Sequence, residues 1–213
     1  MENVLALPRV EPLVSALQEQ LHPEGEALVY LFGPPGTGKS HLLQASCHAG
    51  SVETLYLPLA ELAAFPPEEV LRGIESLGRV CLDDIHAVLG DDGWERALFN
   101  LVNGARQRGC RLVVAGNAAP RALHVNLADL RSRLSGGIVF QLAQANDETK
   151  AAILQFRARR RGITMSPAVA GYIVSRSPRA MEQLLDVLDR LDQTSLVEQR
   201  ALSVPFVKEV MGW

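Results

Sequence analysis

Short apolar runs alternate with stretches whose hydrophobic residues recur every three or four positions through the first two thirds of the chain, and only the second pattern continues to the end. The short runs, Ala27 to Phe32, Val52 to Leu57, Val80 to Asp83, Leu112 to Gly116 and Ile138 to Leu142, predict five strands. Between them the clearest helical pattern is Trp94, Ala97, Leu98, Leu101, Val102 and Ala105, apolar on one face of a 3.6-residue period. An earlier helix is expected from Leu13 through Leu17 and Leu21, ending before Pro23. Short apolar strands alternating with amphipathic helices imply βαβ units, an α/β class and a five-stranded, mainly parallel sheet. After Leu142 the helical pattern alone remains, over Glu148 to Arg161, Pro167 to Arg176, Arg179 to Leu191 and Val204 to Val210. Asp147, Ser166-Pro167, Ser177-Pro178 and Ser203 mark the starts of these helices. The expected organisation is an extended arm over 1–12, an α/β domain over 13–145 and a small all-helical domain over 146–213.

Two segments carry chemistry. Gly33-Pro34-Pro35-Gly36-Thr37-Gly38-Lys39-Ser40 follows the first sheet strand and opens the helical run His41 to Ala49, the strand–loop–helix context of a phosphate-binding P-loop. Glycines let backbone N–H groups curl around phosphates, and the positive end of the following helix dipole adds to them. Lys39 is expected to reach the β- and γ-phosphates and Ser40 to ligate Mg²⁺. Some forty residues on, Arg79-Val80-Cys81-Leu82-Asp83-Asp84 reads as a buried strand ending in two carboxylates, a Walker B pattern. Asp83 is the expected second metal ligand, and Asp84 stands where a carboxylate orients or deprotonates the attacking water. Both motifs fall at the carboxyl ends of parallel strands, where such sheets bind ligands. Asp91-Asp92, ahead of Gly93, read as turn and helix-start residues instead.

Composition narrows the rest. With 213 residues, 47% hydrophobic and 5% aromatic, the chain can build an aliphatic α/β interior without staples. Three cysteines, Cys47, Cys81 and Cys110, lie in expected helix or strand without C-x-x-C spacing, so they read as small core residues of a reducing compartment. No leader pattern and no bilayer-length apolar run occurs, and a cytoplasmic location with no membrane association is expected. A formal net charge of −3 and a pI near 6.0 argue against direct sequence-specific DNA binding. The one basic cluster, Arg157-Ala158-Arg159-Arg160-Arg161, reads as a solvated helix terminus or a contact for an acidic partner.

Taken together, the P-loop, the strand ending in Asp83-Asp84, the later strand ending in Gly116-Asn117 and the helical tail resemble the AAA+ ATPases over nearly the whole chain. The resemblance implies that Asn117 stands at the sensor 1 position. It also implies that Leu130-Arg131-Ser132-Arg133-Leu134-Ser135-Gly136-Gly137 is a box VII segment with Arg133 as an arginine finger. Ser177-Pro178-Arg179 resembles sensor 2, where Arg179 of the lid contacts the phosphates. The cofactor-binding set is then Gly33, Pro34, Pro35, Gly36, Thr37, Gly38, Lys39, Ser40, His41, Asn117 and Arg179, the metal set Ser40 and Asp83, and the catalytic pair Asp84 and Arg133. Finer similarity is to the DnaA branch and its regulatory inactivators, carried by Leu13 to Gln18, Lys39 to Leu43, Leu127 to Leu134, Leu154 to Gly162 and Leu202 to Val210. DnaA itself continues into a helix-turn-helix domain, whereas this sequence ends at Trp213. Such a regulator binds ADP or ATP with Mg²⁺ and stimulates hydrolysis of DnaA-bound ATP together with the DNA polymerase sliding clamp. The clamp is met through a Gln-Leu-x-Leu-type peptide, of which Val4-Leu5-Ala6-Leu7-Pro8 keeps two leucines and a proline but lacks the Gln. DnaA and the clamp are thus the implied partners, and a homodimer and intrinsic ATP hydrolysis are left open. A helicase-loader or transposition-helper ATPase shares the short AAA+ body and is the alternative. A P-loop small-molecule kinase fits the helical tail less well.

Overall fold

All five expected strands form within two residues of their expected bounds: β1 (Leu28–Phe32), β2 (Thr54–Pro58), β3 (Arg79–Asp83), β4 (Arg111–Gly116) and β5 (Ile138–Gln141). They make one sheet in the order β2-β3-β4-β1-β5, and every pairing is parallel. The computed structural model describes residues 10–22, 24–48, 52–178 and 180–213. The chain divides into two units, Met1–Ala143 and Gln144–Trp213.

In the first unit the strands read as unbroken apolar runs because each face of the sheet is covered by helices. Tyr30, Val80, Leu82, Leu112 and Val114 point to one core, shared with helices α5 (Asp92–Arg108) and α6 (Ala128–Leu134). Their neighbours Val29, Leu31, Cys81, Val113 and Ala115 point to the other, shared with α1 (Glu11–Glu19) and α2 (Lys39–Cys47). Period-two alternation along each strand therefore sorts one apolar run into two cores. The edge strands are the less buried ones, β2 being half-buried throughout and β5 largely exposed.

Helix α1 begins at Glu11, so the arm expected over 1–12 gives up its last two residues to the helix. Pro12 is tolerated there because a first-turn N–H has no helical partner to lose. The short helices α3 (Leu59–Leu62) and α4 (Pro67–Val70), like α6, were too brief to leave a periodic signal.

Beneath α1 and α2 lies Arg79, fully buried at the start of β3. Its guanidinium donates from Nη2 to the Leu17 carbonyl at 2.8 Å and from Nη1 to the Ser46 carbonyl at 3.2 Å. Both carbonyls sit in the last turns of their helices, where a cation complements the negative dipole end. Among the cysteines, Cys81 and Cys110 are buried and Cys47 is half-buried; burial pushes the Cys110 thiol up to about 11.

The second unit is helical throughout its regular structure: α7 (Asp147–Arg160), α8 (Pro167–Arg176), α9 (Met181–Glu198) and α10 (Val204–Met211). Leu154, Ile173, Leu184, Leu188, Leu191 and Phe206 form its centre. Ser166 and Ser203 cap α8 and α10 as expected, accepting from the Val169 and Phe206 N–H groups. Two starts differ. Asn146 rather than Asp147 caps α7, accepting from Thr149 N–H at 2.9 Å, and α9 begins at Met181 instead of Arg179. In the arginine run, Arg161 pairs with Asp189 of α9, which gives that cluster an acidic partner within the unit.

Candidate functional site

The loop between β1 and α2 is shaped by three glycines. Gly36 and Gly38 have φ of +75° and +88°, a left-handed conformation that side chains disfavour. Gly33 is required for a different reason: a Cβ there would lie 2.3 Å from the Leu142 carbonyl oxygen, where the chain leaving β5 closes on β1. Leu142 N–H donates back to the Phe32 carbonyl at 2.7 Å, fixing that approach.

Lys39, the first residue of α2, is buried and turns its ammonium into the loop. Nζ donates to the Gly33 carbonyl at 2.8 Å and to the Pro34 carbonyl at 3.1 Å. The Thr37 hydroxyl donates to the same Pro34 carbonyl at 2.9 Å. Pro34, Pro35, Gly36, Gly38 and Ser40 are exposed along the loop, and His41 is half-buried in the first turn of α2. A buried ammonium, a helix N-terminus and left-handed glycines together form a cradle for an anion.

Asp83 ends β3, and α2 packs directly against that strand. Its carboxylate is almost fully buried and both oxygens accept hydrogen bonds. Oδ2 accepts from the Tyr56 hydroxyl at 2.8 Å and Oδ1 from the Asp84 N–H at 2.9 Å. Burial and the Asp83 carboxylate hold the Tyr56 phenol well above its ordinary pKa, so it stays a donor. Asp84 adopts a left-handed backbone, φ 50° and ψ 45°, which is uncommon for a residue with a side chain and is enriched at functional turns. Its carboxylate lies 3.9 Å from His86 Nδ1. A hydroxyl and a carboxylate, from Ser40 and Asp83, are hard oxygen donors suited to Mg²⁺.

Asn117 follows the last residue of β4 and is exposed. The turn it opens is tied down by Tyr30, whose hydroxyl donates to the Ala118 carbonyl at 3.0 Å. Gly116 makes room for this contact, since a Cβ there would meet the Tyr30 oxygen at 2.2 Å. Register pairs Phe32 with Gly116 and Leu82 with Val114, so the P-loop, Asp83-Asp84 and Asn117 emerge at the carboxyl ends of adjacent strands. The sequence-selected residues of the first unit therefore converge, apart from the box VII segment. The first part of that segment, through Leu134, lies in α6, pinned by the fully buried Leu130 and Leu134, with Arg131 half-buried and Arg133 exposed. Arg179 and the Leu5 to Pro8 peptide lie outside the described residues.

Two residues escaped the sequence reading. Tyr56 gave no signal, because an aromatic in an edge strand is unremarkable until register places it beside Asp83. Glu95 was legible in principle: it sits on the apolar stripe of α5, three residues before Leu98 and seven before Val102, where a carboxylate needs partners. Its oxygens accept from Gly90 N–H at 2.8 Å, Asn126 N–H at 3.0 Å and Leu127 N–H at 2.6 Å.

Several solved structures share this fold. Domain III of the replication initiation protein DnaA from Thermotoga maritima is similar over 99% of this chain and 94% of its own, with a TM-score of 0.79 and 19% identity. AMPPCP-bound DnaA from Aquifex aeolicus is similar over 92% of this chain and 65% of its own, with a TM-score of 0.76 and 19% identity. The Holliday junction branch migration motor RuvB from Thermotoga maritima is similar over 98% and 69%, with a TM-score of 0.71 and 18% identity. At these identities the likeness is one of fold, and that fold is the AAA+ P-loop fold with a helical lid. Residues 147–211 match the family model described as Hda, lid domain. Over those residues the chain is similar to the lid of Hda, and its fold as a whole is the AAA+ one.

Proposed function

We propose that this protein is a nucleotide-dependent regulator of replication initiation that, with the DNA-loaded sliding clamp, stimulates hydrolysis of DnaA-bound ATP. The observation that carries the reading is the Hda-type lid over residues 147–211 on an AAA+ body whose strand ends assemble the P-loop, Asp83-Asp84 and Asn117. In this reading the left-handed glycines and Lys39 hold the phosphates of ADP or ATP, and Ser40 and Asp83 hold Mg²⁺, which when bound neutralises phosphate charge. Asn117 meets the terminal phosphate, Asp84 is placed for an attacking water, and Arg179 closes from the lid. Arg133 acts on the nucleotide of a neighbouring DnaA subunit. The resident nucleotide then works as a conformational switch, and the Leu5 to Pro8 peptide makes the clamp contact.

The test is reconstitution. ATP-loaded DnaA, the clamp on DNA and this protein are mixed, and DnaA-bound ATP is followed over time. Accelerated loss that requires all three components is the expected result; acceleration of none, with ATP turnover by this chain alone, would transfer it to the helper ATPases.

The P-loop assignment has its own check in Lys39→Ala. The ammonium makes charge-assisted contacts, each worth about 1.5 to 3 kcal/mol, so affinity for ADP should fall roughly 10- to 150-fold. The far-ultraviolet dichroism should stay unchanged because the lost group belongs to the loop and not to either apolar core. Calorimetry showing equal ADP affinity in the variant would remove the phosphate role from Lys39.

A further inference from the structure

The Asp83 carboxylate is held by a residue from a neighbouring strand. Tyr56 lies in β2, two residues before Pro58, the register partner of Asp83. Its hydroxyl reaches across the strand gap to Oδ2 at 2.8 Å, while Oδ1 is taken by the backbone N–H of Asp84. Helix α2, which carries the expected hydroxyl ligand Ser40, packs against both β2 and β3.

We propose that Tyr56 is a positioning residue for magnesium, orienting the Asp83 carboxylate toward the metal of the bound nucleotide. A carboxylate at a strand end has free rotation about its last bond unless both oxygens are engaged, and outer partners of this kind set how well a ligand meets its metal. The backbone donor from Asp84 fixes one oxygen, and the Tyr56 hydroxyl fixes the second. Each oxygen keeps a further lone pair for the cation or for one of its waters. Tyr56 touches neither phosphate nor metal in this role. It acts through Asp83, and its effect is confined to states in which magnesium is present.

This inference rests on the proposed P-loop nucleotide site and deepens it. The experiment uses the full chain, titrated with ADP by calorimetry in excess EDTA and again in magnesium chloride, for the wild type and Tyr56→Phe. The substitution keeps the ring and removes only the hydroxyl. The expected result is unchanged affinity in EDTA and a magnesium-dependent gain in ADP affinity reduced by about tenfold or more, the range outer partners of metal ligands show. A gain equal to the wild type's, or larger, overturns the role of Tyr56 while leaving the nucleotide site standing. Loss of affinity equally in EDTA and magnesium also overturns it, since that is what a general structural contribution gives. If the wild type binds ADP under neither condition, the nucleotide reading fails and this inference falls with it.

Discussion

Replacing Glu95 with Ala is expected to destabilise the first unit by about 3 to 5 kcal/mol. The side chain is buried at 1% exposure, and its carboxylate is the acceptor for three backbone N–H groups drawn from two separate segments. Truncation leaves all three donors without their partner, each at a cost of about 1 to 3 kcal/mol. The effect reaches beyond stability. Gly90 belongs to the turn that follows Asp83-Asp84 and the 3₁₀ turn Ile85–Ala87, while Asn126 and Leu127 lead directly into α6, which has no side-chain cap of its own. Glu95 thus ties the segment after the paired aspartates to the start of the helix that bears Arg131 and Arg133. Asn126 reinforces the tie, donating from Nδ2 to the Gly90 carbonyl and to Asp92 Oδ1, both at 3.3 Å. Urea unfolding followed by Trp94 fluorescence in a Trp213→Phe background reads the first unit separately. Glu95→Gln, which keeps one acceptor oxygen, should cost about half as much. A loss below about 1 kcal/mol for Glu95→Ala would mean that the segments hold together without it.

The sequence was most readable where periodicity and motif coincide. Each strand could be placed because its apolar run is bounded by turn residues, and α5 because Trp94 to Ala105 repeats through three turns. The P-loop could be read as geometry as well as pattern: glycine at 36 and 38 anticipated the two left-handed positions that the loop adopts. Asp91 behaves as expected, accepting from Trp94 N–H at 2.9 Å to cap α5. What stayed hidden depends on partners distant in sequence. Tyr56 meets Asp83 across 27 positions, and Glu95 meets Leu127 across 32. Arg79 opens a run that reads as a buried strand, and only the packing of α1 and α2 shows why a guanidinium is buried there. Its two carbonyl partners come from helix ends 33 and 62 residues away, a relation no local pattern encodes. The start of α9 was misplaced for a related reason: Ser177-Pro178 looks like a cap followed by a first-turn proline, yet Ser177 instead closes α8, donating its backbone N–H to the Ile173 carbonyl.

Arg133→Ala should abolish the stimulation of DnaA-bound ATP hydrolysis while leaving the protein's own nucleotide affinity and its melting temperature as they are. An arginine finger places a guanidinium beside the transferring phosphate of a neighbour, and such groups contribute about 10³ to 10⁵ in rate. The local structure suits a side chain that acts outside its own subunit. Leu130 and Leu134 are both fully buried and anchor α6 to the first core, so the helix is fixed; Arg133, between them in sequence, is exposed. Arg131 is only half-buried two residues earlier, pointing to a different side of the helix, and its backbone carbonyl accepts from the Ser135 hydroxyl at 2.8 Å. Arg131→Ala should accordingly reduce the stimulated rate far less than Arg133→Ala. Lysine at 133 is the sharper comparison, because it keeps the charge but lacks the planar fork that contacts two phosphate oxygens at once, and it should recover only a small part of the rate. The measurement is hydrolysis of radiolabelled ATP on DnaA in the presence of the DNA-loaded clamp, with each variant at saturating concentration. Full stimulation by Arg133→Ala would exclude this residue as the finger, and stimulation lost equally in the 131 and 133 variants would point to the integrity of α6 and away from chemistry at a single guanidinium.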